Sequence, residues 1–388
     1  MHMPVIPYGK QSICEEDIQA VVEVLRSDYL TQGPKIELFE RALTEKLTVP
    51  YAIVVSNGTA ALHLSCIALD IKEGDIVWTT PISFVASINC ARYLNARVDF
   101  VDINRKTHNL SIEALEEKLI EAQKKNALPK LLIVVHFAGI PCEMKAINAL
   151  SKNYGFKIIE DGCHALGAKY ETDYIGKCTY SDICLFSFHP VKNITSGEGG
   201  AIVTKSEAIA KKIKRLRTHG ITRDPLDMHH SAPGEWYYEM LDLGFNYRMT
   251  DMQAALGISQ LKRLDLFIEK RQLLAARYKE KIINCYIKHP YAPTNTSPAW
   301  HIYPIEIKSN CPLSREAIFK HLREKDIGVQ VHYIPIHTHP YYQQIGFKWG
   351  DFPHAEAYYA KTLTLPLYPN LKEEEQDYVI CTLEKFLS

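Results

Sequence analysis

The stretch DICLFSFHPVKNITSGEGGAIVT, Asp182 to Thr204, places one lysine, Lys192, between two apolar runs and beside Gly197, Gly199 and Gly200. DICLFSF (182–188) reads as a buried strand, and GAIVT (200–204) as its successor. Lysine is a poor guest next to buried strands, because its charged form is costly to take out of water. An amine there is either a solvated loop charge or a nucleophile.

Outward from this stretch, short apolar runs alternate with helical patterns. YAIVVS (51–56) reads as a strand followed by a helix in GTAALHLSCIALD, and DIVWTT (75–80) as a strand followed by a helix in SFVASINCARYLNA. RVDFVDI (97–103) is a strand pattern, and SIEALEEKLIEAQKKN (111–126) is an amphipathic helix opened by a Ser111 cap. LLIVVHF (131–137) and FKIIED (156–161) are further strands, with the helix EMKAINALSKNYG between them. Repeated strand–helix units with all-apolar strands predict an α/β fold built on a mainly parallel sheet covered on both faces. After Asp251 the character changes. Residues 252–282 read as one long helix leading out of the first domain. WHIYPIEI (300–307) and VQVHYIPI (329–336) are then expected as strands, SREAIFKHLREKDI (314–327) as a helix, and a last helix begins near Glu373.

The chain has 388 residues, with Lys plus Arg equal to Asp plus Glu. A formal charge of zero argues against nucleic acid as the main partner. KKIKRLRTHGITR (211–223) is therefore read as a solvated helix face. The N-terminus lacks a basic region followed by an apolar one, and no apolar run approaches bilayer length. None of the ten cysteines forms a C-x-x-C pair. A reduced, cytoplasmic protein is the expectation.

Three segments bring chemistry to the sheet edge. In SNGTAALHL (56–64) a strand ends, Asn57-Gly58 turns, and a helix begins near Thr59. Free amides and the helix dipole favour an anion there, with Thr59 and Ala60 as backbone donors. Taken alone, the same pattern also fits a plain strand–turn–helix connection. In FKIIEDGCHALGA (156–168) a buried strand delivers Asp161 to its carboxyl end, where ligands bind in open α/β sheets. That carboxylate either pairs with a cationic ring nitrogen or caps the next turn. His164 follows three residues later. A phosphate site, a carboxylate and a lysine in this order match the needs of pyridoxal 5′-phosphate.

The chain resembles the nucleotide-sugar aminotransferases of the DegT/StrS type, pyridoxal phosphate enzymes of fold type I. The likeness runs from YLTQGPKIELFE (29–40) through SNGTAALHL, TTPISFVAS, EDGCHALGA, FSFHPVKNITSGEGG and LGFNYRMTDMQAALGISQL (243–261) to VQVHYIPIHTHPYY and LPLYP (365–369). The resemblance implies a large domain over residues 1–265, with a mainly parallel seven-stranded sheet and an N-terminal segment that covers the substrate. A smaller C-terminal α/β domain is implied over 266–388. It also implies a homodimer with shared active sites.

Residue roles follow from the same likeness. Lys192 is implied as the residue that binds the cofactor aldehyde and moves the proton. Asp161 is implied as the partner of the ring nitrogen, His164 as a neighbour of the phenolic oxygen, and Phe84 as the group stacked on the ring. Thr59, Ala60 and Ser187 are implied as phosphate ligands, and Asn246 as a ligand of the neighbouring subunit's phosphate. A lysine rather than a histidine at position 192 implies transamination rather than dehydration, with pyridoxamine phosphate as intermediate. The finer pattern is similar to the branch that serves pseudaminic acid biosynthesis, which aminates a UDP-linked 4-keto-6-deoxy-N-acetyl sugar with L-glutamate as donor. Viosamine-type and bacillosamine-type sugar aminotransferases are the nearest alternatives. A non-catalytic regulator on the same fold is disfavoured by the intact Lys192–Asp161 pair. Tyr8, Thr31, Gln32, His332, Tyr333 and His337 are the implied substrate contacts. His332, His337 and His339 invite a zinc reading through the His-x-His spacing, but no cysteine or further histidine lies at usual ligand spacing, so no metal is expected. Ile140 and the pair Gly162-Cys163 depart from the family pattern.

Overall fold

The computed structural model describes residues 5–388. Its centre is a seven-stranded sheet. From one edge to the other the strands are Tyr51–Val55, Gly200–Thr204, Ile183–Ser187, Lys157–Asp161, Leu131–Val135, Ile76–Thr79 and Arg97–Phe100. Gly200–Thr204 runs antiparallel to both its neighbours, and the remaining pairings are parallel. Alternate strand residues feed two separate cores. Val54, Leu132, Val134, Ile158 and Phe186 face one, and Ile53, Val55, Ile133, Ile159 and Leu185 face the other. Burial on both faces is why these strands read as unbroken apolar runs.

The parallel strands share a direction, so their carboxyl ends lie along one edge of the sheet. Val55, Val135, Asp161 and Ser187 end their strands there. Gly200 starts the reversed strand at the same edge, paired with Ser187 and Val55. A Cβ on Gly200 would fall 2.6 Å from the Asn57 carbonyl oxygen, so glycine lets this strand lie against the 56–58 turn.

A third core combines Ile6 with residues from Leu274 onward. It surrounds an antiparallel sheet of Ile287–Lys288, Tyr303–Ile307 and Thr362–Leu365. The expected single helix over 252–282 is broken at Lys262–Arg263 into Asp251–Leu261 and Leu264–Lys281. The break follows from an i→i−3 bond, Arg263 N–H to the Gln260 carbonyl at 3.0 Å. The Arg263 guanidinium there reaches across to Asp17 and the Ser12 carbonyl.

VQVHYIPI is not a strand. Only Gln330 forms a bridge, to Thr364. Neighbours on a regular strand face opposite sides, yet His332 and Tyr333 both line the same cavity. Pro335 also lacks the N–H a central strand would need. The strand Thr362–Leu365 takes the place beside Tyr303–Ile307 instead. Helices Glu15–Leu25 and Pro34–Leu47, which the sequence reading passed over, pack on Asp251–Leu261. Among the described residues no helix is long and apolar enough to cross a membrane.

Candidate active site

A cavity of about 760 Å³ opens at the carboxyl edge of the sheet, within the size range of about 300–1,000 Å³ usual for small-molecule sites. One wall is the start of helix Gly58–Ala68. Asn57 caps it by accepting the Ala60 N–H at 2.8 Å. The expected Ala60 donor is therefore already engaged, and the Gly58 and Thr59 amides are left as the free donors of the first turn. A Cβ on Gly58 would come within 3.0 Å of Ser187 Cβ and 3.3 Å of its Oγ. Glycine thus lets the helix end and the Ser187 hydroxyl share one small cradle.

Asp161 is 5% exposed and is held by two donors. Ser87 Oγ donates to Oδ2 at 2.7 Å, and the Cys163 N–H donates to Oδ1 at 3.1 Å. Ser87 is in turn 2.7 Å from Ser83 Oγ. This relay from the 79–87 segment fixes the carboxylate's orientation at the end of its strand. The Cys163 thiol beside it is pushed up by burial and then by Asp161, so it stays protonated.

Lys192 follows a tight turn in which its N–H donates to the His189 carbonyl at 2.9 Å. Burial lowers its amine below the ordinary lysine value, while Asp161 pulls weakly the other way. A lysine of this kind has a larger neutral, nucleophilic fraction than a solvated one.

The opposite wall carries imidazoles. His164 Nε2 lies 3.0 Å from the Tyr333 hydroxyl, and its Nδ1 is buried with no partner. Burial, then the Lys192 charge, holds His164 well below the ordinary histidine value. Burial also raises the Tyr333 phenol, so it remains an O–H. Nδ1 is thus the His164 nitrogen left free for a ligand. His332 accepts or donates at Thr364 Oγ1, 2.9 Å from its Nδ1, and burial followed by the Lys192 charge takes its pKa to about 3. The Tyr8 and His332 ring centroids are 5.6 Å apart.

The structure gathers most of the sequence-derived candidates here. Lys192, Asp161, His164, Thr59, Ala60, Ser187, Phe84, Tyr8, His332 and Tyr333 all line the cavity. Phe84 is 59% exposed, so one face of its ring is free at the mouth. Four candidates lie elsewhere. His337 is fully buried, with Nε2 2.9 Å from Glu356 and its ring against Phe100 and Phe352. The short turn Ile336–Thr338 points it into the core, away from the cleft. Thr31 bridges Thr250, and Gln32 lines a second cavity of about 530 Å³ with Arg41, Lys214, Arg217 and Arg248. Asn246 is exposed, its backbone bridged to Thr218. Ser83, Ser87, Tyr93, Glu198, Tyr247 and His301 line the cavity without having been singled out. For Ser83 and Ser87 a signal existed: two serines four apart, just past an apolar strand, in a segment otherwise apolar.

Residues 11–384 match the DegT/DnrJ/EryC1/StrS aminotransferase family, and the chain belongs to it. It is 37% identical over 390 residues to the UDP-4-amino-4,6-dideoxy-N-acetyl-beta-L-altrosamine transaminase of Campylobacter jejuni, covering 98% of this chain and 97% of that one. It is also 37% identical over 379 residues to the spore coat polysaccharide biosynthesis protein SpsC of Bacillus subtilis, covering 97% and 95%. The structure is similar to that of Helicobacter pylori PseC, an aminotransferase involved in the biosynthesis of pseudoaminic acid. The TM-score is 0.90 at 31% identity, covering 98% of this chain and 99% of that one. The protein is a pyridoxal phosphate-dependent aminotransferase. Its residues fit that group: a partnerless buried nitrogen on His164, an oriented carboxylate on Asp161 and a glycine-made cradle at Gly58 all face one cavity.

Proposed function

We propose that this enzyme transfers the amino group of L-glutamate to C-4 of a UDP-linked 4-keto-6-deoxy-N-acetyl-hexose, UDP-2-acetamido-2,6-dideoxy-β-L-arabino-hex-4-ulose, in pseudaminic acid biosynthesis. The observation that carries the chemistry is the half-buried Lys192 sharing a cavity with the doubly hydrogen-bonded Asp161. The likeness to the Campylobacter transaminase supports the substrate. When bound, pyridoxal phosphate supplies an aldehyde that carries the amino group and a ring that withdraws electrons. Lys192 holds the aldehyde and moves a proton at the reacting carbon. Asp161 would hold the proton of the ring nitrogen, and the partnerless Nδ1 of His164 would serve the phenolic oxygen. The Gly58 and Thr59 amides and Ser187 Oγ receive the phosphate.

The site is completed by a second copy of the chain. Asn246, Thr31 and Gln32, assigned to cofactor or substrate, lie outside their own cavity. The segment before Asn246 carries exposed Leu226, Trp236, Met240 and Leu243, apolar surface that pairing would cover. A homodimer by light scattering is expected. Mixed dimers of Lys192→Ala and Asn246→Ala chains should regain about a quarter to a half of wild-type activity if each lesion affects only one of the two sites.

Equal identity to SpsC favours a second reading, in which a different sugar nucleotide is the acceptor. One experiment decides between them. Glutamate is offered with a panel of UDP- and dTDP-linked 4-keto-6-deoxy sugars, and each amino product is identified by mass and NMR. Preference for a dTDP sugar overturns the substrate assignment.

A further inference from the structure

His301 is 4% exposed and lines the cavity beside His164, with ring centroids 4.3 Å apart. Its backbone is clamped from two sides. The His301 N–H donates to the Ala138 carbonyl at 3.0 Å. The Arg271 guanidinium donates to the carbonyls of Trp300, His301 and Leu367 at 3.2, 3.1 and 3.0 Å. Arg271 is itself 1% exposed, and no carboxylate pairs with it among the described residues. Its three carbonyl contacts therefore define its role as a strut for the segment that delivers His301. A Cβ on Gly139 would meet the His164 carbonyl at 2.6 Å and the Trp300 nitrogen at 3.0 Å, so the His301 segment and the His164 turn are packed against each other there.

The three cavity imidazoles differ in what they have left to offer. His164 spends Nε2 on Tyr333, and His332 spends Nδ1 on Thr364. His301 hydrogen bonds to no protein group through either nitrogen, and its Nδ1 is buried without a partner. A buried polar group is ordinarily satisfied, by protein, water or ligand. Burial keeps this ring neutral, with the nearby His164 and Lys192 acting in the same direction. A neutral imidazole has one donor and one acceptor. That pairing suits a hydroxyl or an amide, each of which also donates and accepts. It suits a carboxylate less well, because an anion that only accepts can use the single N–H and leaves the acceptor nitrogen unpaired, and a neutral ring brings no charge to it.

We propose that His301 is a substrate-contacting residue that reads a hydroxyl or N-acyl group of the sugar acceptor and takes no part in recognising the dicarboxylate donor, with Arg271 positioning it. This rests on the sugar-acceptor reading given above. The two half-reactions can be measured apart on the holoenzyme. Glutamate removes the visible absorbance of the lysine-bound cofactor, and the keto sugar restores it.

Wild type is measured first, and the panel sugar that restores the band is used for the variants. His301→Leu is expected to leave the glutamate step within about twofold. It should raise the half-saturating sugar concentration about ten- to hundredfold, the scale of one hydrogen bond lost from a buried partner. His301→Gln, which keeps a donor and an acceptor, should recover most of the loss. Should His301→Leu fail to hold cofactor, His301→Phe and Arg271→Lys carry the test by the same split between the two steps. Equal loss in both half-reactions, or no change in either, overturns the His301 assignment. Failure of the UDP sugar in wild type counts against the substrate reading instead, and failure of every keto sugar in wild type removes both.

Discussion

Acidification to pH 5.5 should weaken this protein through its buried histidines, and His332→Gln should remove a defined share of that loss. His332 is 7% exposed, and its pKa falls from 6.5 to about 3, chiefly through burial and then through the Lys192 charge. A group whose folded pKa lies below its unfolded one binds protons first in the unfolded chain. Its contribution to stability is therefore intact well above pH 6.5 and declines as the pH falls towards 3. At pH 7 about a quarter of unfolded His332 is protonated, and at pH 5.5 about nine-tenths; integrating between them gives a loss of about 1.3 kcal/mol. His164 and His301 act in the same sense, so the wild-type loss is larger than this. The difference between wild type and variant isolates His332, since Gln can keep the Thr364 hydrogen bond and any constant change cancels between the two pH values. The assay is urea unfolding at pH 7 and 5.5, at fixed protein and cofactor concentration because both shift apparent stability. Wild type should lose about 1.3 kcal/mol more than His332→Gln over this window, as the linkage arithmetic requires. Equal losses would refute the neutral, buried state assigned to this imidazole.

Lys192→Ala should abolish the visible absorbance of added cofactor and reduce amino transfer to background, read by spectrum and product analysis. In cofactor-free protein, Lys192→Met should flatten the rise in stability towards alkaline pH, because a lysine with a lowered folded pKa is protonated preferentially in the unfolded chain. Ser87→Ala removes a 2.7 Å hydrogen bond to the buried Asp161 carboxylate. At about 1.5–3 kcal/mol for a bond to a charged group, cofactor dissociation should rise about ten- to hundredfold, measured by equilibrium dialysis. Gly58→Ala would set a methyl 3.0 Å from Ser187 Cβ and crowd the phosphate cradle. It should weaken pyridoxal phosphate markedly but leave binding of unphosphorylated pyridoxal nearly unchanged; equal weakening of both would place the phosphate elsewhere.

What the sequence revealed and what it hid have separate physical origins. The central strands were legible because burial on both faces removes polar residues and leaves apolar runs such as LLIVV, all buried. Asp161, Ser187 and Lys192 were legible because polar residues at the end of such runs have few structural reasons to be there. Two of the histidines were not. His337 and His301 both sit among aromatic and aliphatic neighbours, and one enters the core while the other enters the cavity. The difference depends on chain direction after position 329, where the period-2 alternation fails, and on the clamp formed by Ala138 and Arg271, contacts distant in sequence. WHIYPIEI was read as a strand from its start, whereas the strand begins at Tyr303 and His301 precedes it. The turn after Leu261 was hidden for the same reason, since Arg263 leaves the helical path towards Asp17 and Ser12, more than two hundred residues away.

The charges of the cavity bear on how the enzyme must be assembled. Its lining holds one lysine, no arginine, and the carboxyl groups of Asp161 and Glu198, with its buried histidines kept neutral. Once Lys192 holds the cofactor, the described lining of this cavity offers no other lysine or arginine to the cofactor phosphate, the sugar diphosphate or the donor's carboxylates. Helix amides meet one phosphate well but provide only partial charge. Two spare cations line the second cavity, where Arg41 and Arg248 make no ion pair among the described residues and Gln32 stands beside them. Asn246, two residues before Arg248, is the residue assigned to a neighbour's phosphate. An active site with too little positive charge and a second cavity whose Arg41 and Arg248 are left over once Glu40 has paired with Lys214 and Arg217, on one chain, are what pairing of two copies would bring together. Arg248→Met is therefore expected to weaken sugar nucleotide binding while leaving the absorbance of the lysine-bound cofactor in place. Unchanged sugar nucleotide affinity would show that the cations come from somewhere else.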